Sequence, residues 1–306
     1  MLGFAFRRFL LAILTLVTVS VIAFFMTWLS GDPAIAIAGD TASAEDIEAV
    51  RLHYGLDRPL PEQYLAWAGR ALQGDFGASF HFDLPVSQML ADRLPVTMTL
   101  GVCSILFALS LAIPLGVLAA VYNNTIIDRA ALTIAVLGQA IPTFWFALMM
   151  MVLFGIVLRW LPISGGGTWA HFVMPTIALG YFATPALMRL TRAGMLEALE
   201  SDYVRTARAY GLPTRSVLFR HALRNALIPV VALAAVQFGF MLGGSIVIET
   251  VFSLPGIGWL GYDAILRGDL PVVQAILLTV ATFYVLLNFL ADLLNATLDP
   301  RMRAAG

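Results

Sequence analysis

The sequence predicts an all-α membrane protein with six transmembrane helices. Three observations carry that prediction. Of 306 residues, 60% are hydrophobic and only 12% charged, with a mean hydropathy of +0.86, whereas a soluble domain carries about 25% charged residues. The apolar residues fall in blocks that reach the roughly 20 residues a helix needs to cross a hydrocarbon core. The basic residues are all arginine, with no lysine anywhere, and they gather between alternate blocks.

The spans run Phe9–Leu29, Val96–Tyr122, Ala130–Leu158, Met174–Met195, Ala226–Phe252 and Val272–Thr297. The first could be misread as a secretory leader, because Arg7 and Arg8 precede it and Ala34-Ile35-Ala36 follows it. Its apolar run exceeds the 7–15 residues of a leader, so residues 1–30 are read as a retained anchor. The third and fifth spans are longer than a perpendicular crossing requires, which predicts tilt or kinks. Pro142 and Pro175 are the expected break points, since proline removes a helical hydrogen bond.

Orientation follows from the arginines. Arg7 and Arg8, the cluster from Arg189 to Arg224, and Arg301 and Arg303 all fall on one side of an even number of spans. The positive-inside rule makes that side the cytoplasm. The segment 31–93 lies opposite, with four arginines against ten acids, a balance of 4 − 10 = −6. Ser43 is placed to cap a helix starting near Ala44, with Asp46 completing a capping box and Gly55 after its end. Pro61 suits the first turn of a second helix, ended by Gly74. Tyr64, Leu65, Trp67, Ala68 and Leu72 give that helix an apolar stripe, for packing on the protein's own rim or for a partner.

Between the fourth and fifth spans lies a polar island, Glu197–Asn225, with five arginines against three acids. Asp202–Tyr210 reads as a short helix with Tyr203, Ala207 and Tyr210 on one face. Gly211 suits the left-handed position after it, and Pro213 stops continuation. Thr214 is placed to cap a second helix that runs into the next span. Two readings stay open: an amphipathic hairpin on anionic lipid, or a docking element for a cytoplasmic partner.

Ion-coupled transport or proton pumping wants ionisable groups deep in the membrane. Glu249 and Asp292 sit near span ends, where packing or interfacial roles suit them. Gln139 and Gln237 are deeper, either lining a path or joining helices. No nucleophile and base pair up: Ser245 lacks a partner, and His53, His81, His171 and His221 lie outside the spans without metal-ligand spacing. No metal site or catalytic residue is expected. Cys103 is the only cysteine, which excludes an internal disulfide.

The island resembles the cytoplasmic signature loop of ABC-importer permease subunits, whose pattern is Glu-Ala-Ala, three residues, Gly, nine residues, then Ile-x-Leu-Pro. Gly211 falls on its glycine and Ala207 on its second alanine. Arg205 and Thr206 hold the first two positions, and His221 to Arg224 the last four, so the Glu and Pro of the general pattern are missing. The form found here, YVRTARAYGL followed by HALRNALIPVV, is similar to the dipeptide, oligopeptide and nickel branch. So are Gly31-Asp32-Pro33-Ala34, Tyr54-Gly55-Leu56-Asp57, Gly74-Asp75-Phe76-Gly77, Pro142-Thr143-Phe144, the run from Phe252 to Gly258, and Leu298-Asp299-Pro300-Arg301.

That resemblance implies a type I ABC importer permease fold, with an external segment at 31–93, the permease domain at 94–297 and a cytoplasmic tail at 298–306. It implies an inner-membrane subunit that pairs with a second permease, sits on two ATP-binding subunits and receives di- or oligopeptides from an external binding protein. Nickel, glutathione, opines or oligosaccharides are the alternative solutes. Asp202, Tyr203, Arg205, Thr206, Ala207, Arg208, Tyr210 and Gly211 would form the coupling helix. The chain would hold no cofactor, with ATP and magnesium bound by its partners, and no nucleic acid.

Overall fold

The structure is a computed structural model that describes residues 2–29, 31–39 and 42–298. The expected tail motif at Asp299–Arg301, together with Arg303, lies outside the described residues.

Every extended element is a helix. The chain runs through α1 (Leu2–Leu29), three short helices α2 (Pro33–Ala38), α3 (Ala44–His53) and α4 (Leu60–Ala71), then α5 (Val86–Val121), α6 (Ile126–Ala140) and α7 (Thr143–Met150). It continues through α8 (Ala170–Glu200), α9 (Asp202–Ala209), α10 (Thr214–Ser216), α11 (Leu223–Phe252), α12 (Ile257–Arg267) and α13 (Leu270–Leu298). A π-helical stretch, Met151–Val157, extends α7, and another, Val217–Ala222, joins α10 to α11. Among the described residues, five helical stretches are long and apolar enough to cross a membrane: Gly3–Leu29, Val86–Val121, Ala170–Glu200, Thr214–Phe252 and Leu270–Leu293.

The third predicted span is not one helix. It is α6 followed by α7, separated by Ile141 and Pro142 in extended conformation. Asp128 at the start of α6 meets Arg192 of α8, and Phe146 of α7 meets Tyr181. The two pieces therefore climb α8 in succession. Pro142 thus breaks its span as expected, whereas Pro175 does not. It lies inside α8, which is continuous through both Pro175 and Pro185. Neighbouring helices keep a proline-containing span helical when they shelter the freed backbone groups, and Pro175 is fully enclosed.

The core is the α5–α8 pair, with α11 packed across both. Small residues let the backbones approach, as in membrane bundles generally. At Gly180 a β-carbon would sit 2.5 Å from the Ser104 carbonyl oxygen of α5. Apolar clusters stack along the bundle. Leu100, Ala178, Leu187, Val230 and Ile248 belong to the middle one. Val117, Met195, Val204, Val217 and Ala226 close one end. Val86, Leu90, Ile257, Leu260 and Val272 close the other.

The first helix is peripheral. It lies on α13, where Arg8 pairs with Asp292 at 3.0 Å and Phe9 meets Phe289 edge-on. That contact gives Asp292 a packing role. The segment 31–85 caps the opposite end. Ser43 and Asp46 form the expected capping box, and Asp32 pairs with Arg51 at 2.5 Å, tying α2 to α3. On α4, Tyr64 and Trp67 pack on Phe24 of α1, and the Tyr64 hydroxyl is 2.8 Å from that of Ser20. The other half of the stripe faces out: Leu65 is 68% and Leu72 90% exposed. Ser79 donates to Asp269 at 2.5 Å, which fastens the end of the cap to the α12–α13 link.

Candidate functional site

The polar island folds as predicted into a helix, a corner and a second helix. Ser201 is extended and ends α8, its hydroxyl turned back onto the Ala198 carbonyl. The helix α9 then starts with Asp202 in its first turn and ends with Arg208 in its last, both favourable to the helix dipole. At its end the Leu212 N–H donates to the Ala207 carbonyl at 3.3 Å, and the Gly211 N–H to that of Arg208 at 2.9 Å. That pair of bonds is a Schellman motif, and it places Gly211 at φ +73°. Thr214 does not cap the second helix. Pro213 holds the capping position without a side-chain cap, and Thr214 is the first helical residue.

The two faces of α9 differ sharply. Val204 is fully buried and Ala207 is 6% exposed, seated on Val117, Ala120, Met195, Val217 and Ala222. Burying a valine contributes about 2 kcal/mol. The surface pair Asp202–Arg205, at 3.4 Å and exposed, contributes at most a few tenths of that scale. The apolar seat therefore fixes the hairpin. Of the residues singled out from the sequence, Ala207 belongs to this seat and not to the outward surface. Asp202, Tyr203, Arg205, Thr206, Arg208 and Tyr210 face out, with Tyr210 83% exposed. Thr206 spends its hydroxyl on the Asp202 carbonyl. A hollow of about 290 Å³, walled by Glu197, Ser201, Tyr203, Asn225 and Pro229, opens beside α9.

Gln139 and Gln237 are not brought together by any hydrogen bond among the described residues. Gln139 is exposed at the end of α6 and accepts from Arg189 at 3.1 Å. Gln237 is half-buried within α11. A larger polar assembly lies one turn further along α8, where Arg192 grips Asp128 at 2.7 Å through two nitrogens and also reaches Asn123. A bidentate clamp of this kind fixes angle as well as distance, so the start of α6 is held to α8 just ahead of the hairpin.

At the other end of α11 Glu249, read from the sequence as an acid suited to packing or to the interface, proves to anchor a polar corner whose partners the sequence did not name. Glu249 is fully buried. Thr97 of α5 donates to its Oε1 at 2.8 Å, and the Trp259 N–H of α12 donates to its Oε2 at 3.1 Å. Thr97 in turn accepts from the Ile257 N–H at 2.8 Å. Three helices thus meet on one carboxylate at the start of α12, where free N–H groups and the dipole favour negative charge. The fit leaves no space: a β-carbon at Gly256 would lie 2.3 Å from Oε2. The sequence signal was a lone acid in an apolar span, followed seven residues later by a Gly-Ile-Gly helix start. Its partner Thr97 lies 152 residues away, so the sequence could not name it.

Among the described residues no cluster of three His, Cys, Asp or Glu side chains is arranged to hold a metal ion. The bundle carries an exposed helical hairpin at one end and a buried polar corner at the other.

Comparison with known proteins gives the family. Residues 112–304 match the family of binding-protein-dependent transport system inner membrane components, and residues 1–101 match the N-terminal domain of such membrane components. The glutathione transport system permease protein GsiC of Pectobacterium atrosepticum is 42% identical over 304 residues, covering 99% of both chains. Its counterpart in Escherichia coli strain K12 is 41% identical over the same coverage. Among solved structures, inward-facing forms of the MetNI methionine ABC transporter match 69% of this chain and 97% of theirs. Their TM-scores are 0.57 and 0.59 at 21% and 20% identity, a likeness of fold. The chain belongs to the binding-protein-dependent transport system inner membrane component family, as a multi-pass permease subunit of an ABC importer.

Proposed function

We propose that this permease imports short peptides, with a tripeptide such as glutathione as the first candidate. Its driving force would come from separate ATP-binding subunits that grip α9. The observation that carries the coupling role is the division of α9 into an apolar seat and a polar outward face on a Schellman corner. Such a hairpin moves with α8 and α11 as one body, which is how interface motion reaches a bundle. A lipid-bound hairpin would instead turn its apolar face to the bilayer, and here Val204 and Ala207 face the protein.

In this reading the chain turns over no ATP, since a P-loop needs a lysine at the phosphates and the sequence has none. ATP and magnesium belong to two partner subunits. A second, similar permease completes the path, and an external binding protein meets the acidic cap and the Ser253–Gly258 corner. Both termini and 197–225 lie in the cytoplasm. The relatives named for glutathione transport favour that solute within the peptide class. The few fixed charges along the spans suit a backbone-bearing solute better than a bare metal ion.

Uptake assays in a strain lacking this chain test the solute. Loss of labelled glutathione and dipeptide uptake supports the reading, whereas intact peptide uptake with lost nickel uptake overturns it. Topology is tested separately by replacing Cys103 and placing single cysteines at Glu45 and Arg215. They should label from opposite sides of the membrane, and external labelling of both would refute the orientation.

A further inference from the structure

The apolar span α8 carries two arginines, Arg189 and Arg192, in different settings. Arg192 is clamped by Asp128 at the start of α6. Arg189, one turn further into the span, is exposed and has no ion pair among the described residues. Its Nη1 donates to the Gln139 Oε1 at 3.1 Å. The place of Gln139 gives that bond its meaning. It is the penultimate residue of α6, 139 − 128 = 11 residues beyond Asp128, about 16 Å of helix. It lies along the chain between Asp128, which meets Arg192, and Phe146, which meets Tyr181. An arginine near a helix end ordinarily snorkels back to the headgroups. Arg189 instead joins a residue further into the membrane-spanning part of the fold.

The surroundings of the pair are apolar. Phe182 and Ala193 share an exposed face of α8 with Arg189, and Ile134 and Leu137 are exposed on α6. Hydrocarbon does not cover a charged group at this depth without a large cost, so water or another polar group meets it. The pair's own chemistry says which. The Gln139 carbonyl oxygen is spent on Arg189, and what remains is the rest of the guanidinium and the Gln139 amide N–H groups, all of them donors. A donor-only set fits an acceptor-only group, and a carboxylate is the anion that a guanidinium fork matches.

We propose that Arg189 and Gln139 form a contact in the transport path for the carboxylate of the solute. The inference rests on the peptide reading above and adds the group that is read, since every short peptide with a free C-terminus keeps its carboxylate whatever its side chains. It also places the path along the α6–α8 side of this subunit. A bare metal cation is repelled by the same guanidinium. An acid of the second permease or an inner-leaflet phosphate would satisfy the same donors, and the experiment separates both from the solute.

The test uses the whole complex in vesicles, with the binding protein and labelled dialanine at saturation. Arg189→Gln should cut the uptake rate roughly tenfold, and Arg189→Lys should recover most of it. ATP hydrolysis stimulated by the binding protein, the melting temperature and co-purification of the second permease should stay as in the wild type. In a Cys103→Ser background, Gln139→Cys should react with a water-soluble maleimide, and dialanine delivered by the binding protein should slow that reaction. Wild-type uptake by Arg189→Gln, or a thiol at 139 that is inert to the reagent, overturns the proposal. A parallel loss of ATP hydrolysis overturns it in favour of a coupling role, and loss of the second permease in favour of an acid on that subunit. A defect seen only in vesicles that contain phosphatidylglycerol overturns it in favour of lipid. If the wild type takes up no dialanine, the peptide reading fails and this contact with it. If the wild type does and Arg189→Gln equals it, only the contact fails.

Discussion

The two ends of α11 are built on opposite principles. At its start the chain is held by apolar side chains, Val204, Ala207, Val217 and Ala226, and the polar groups of α9 face outward. At its finish it is held by a buried carboxylate, Glu249, that accepts from Thr97 of α5 and from the Trp259 N–H of α12. Apolar contact is non-directional, whereas a buried polar network fixes angles and is costly when half broken. The first end is therefore a seat with an exposed grip, and the second a joint with one geometry. In the proposed coupling, a helix fixed so at one end and gripped at the other would carry rotation along its length.

The comparison breaks most visibly at Glu249. Replacement by alanine leaves the Thr97 hydroxyl and the Trp259 N–H buried without an acceptor. That should cost about 3 kcal/mol, seen as a lower melting temperature of the purified permease pair. Glu249→Gln keeps one acceptor and should fall between alanine and wild type. If alanine melts like wild type, the joint is not what holds the corner.

At the other end, Ala207→Asp tests the seat. Ala207 is all but buried, so the new carboxylate enters an apolar cluster, at a cost of roughly 2 kcal/mol or more. The hairpin should become protease-sensitive and lose ATPase docking. Tyr210→Ala and Arg208→Ala give the contrast, since both side chains are exposed. Stability should stay within about 0.5 kcal/mol while co-purification of the ATP-binding subunits falls. Unchanged co-purification by both would return the outward face to a lipid role. Gly211→Val comes next in size. A β-branched residue at φ +73° is strained by about 1–2 kcal/mol, expected as reduced uptake with the binding protein still loaded.

The difference between the two ends also decides what the sequence could show. The hairpin is local: cap, apolar positions, Gly211 and Pro213 lie within one stretch, and the helices and corner were legible there. Which face turns inward was not, because Ala207 is placed by Val117 and Met195 on other helices. The joint is nonlocal, so Glu249 read as an acid near a span end suited to packing or to the interface, without its partners. Proline shows the same limit. Pro142 and Pro175 look alike in sequence, yet one breaks a span and the other lies inside a helix, as do Pro95, Pro114, Pro185 and Pro229. Within a bundle the neighbours decide whether a missing hydrogen bond matters.

The smallest expected effect sharpens the contrast from outside the membrane. The Asp32–Arg51 pair ties α2 to α3 on the capped end. The hydrogen bond from Arg51 outweighs burial and holds the Asp32 carboxyl below the usual carboxylate range. A depressed folded value means the pair stabilises the cap above the unfolded carboxyl's pKa, about 3.9. That stabilisation is lost as pH falls through the folded value. Hydrogen exchange across α2 and α3 should therefore quicken only in acid below that range, beyond the intrinsic change with pH, with α9 amides showing no matching step. Asp32→Asn should remove the step and leave exchange in α3 at neutral pH slightly faster. A step of equal size in Asp32→Asn would shift the cause to another carboxyl, with Asp46 in its capping box the next to replace, since the hydroxyl of Ser43 lowers it in the same direction.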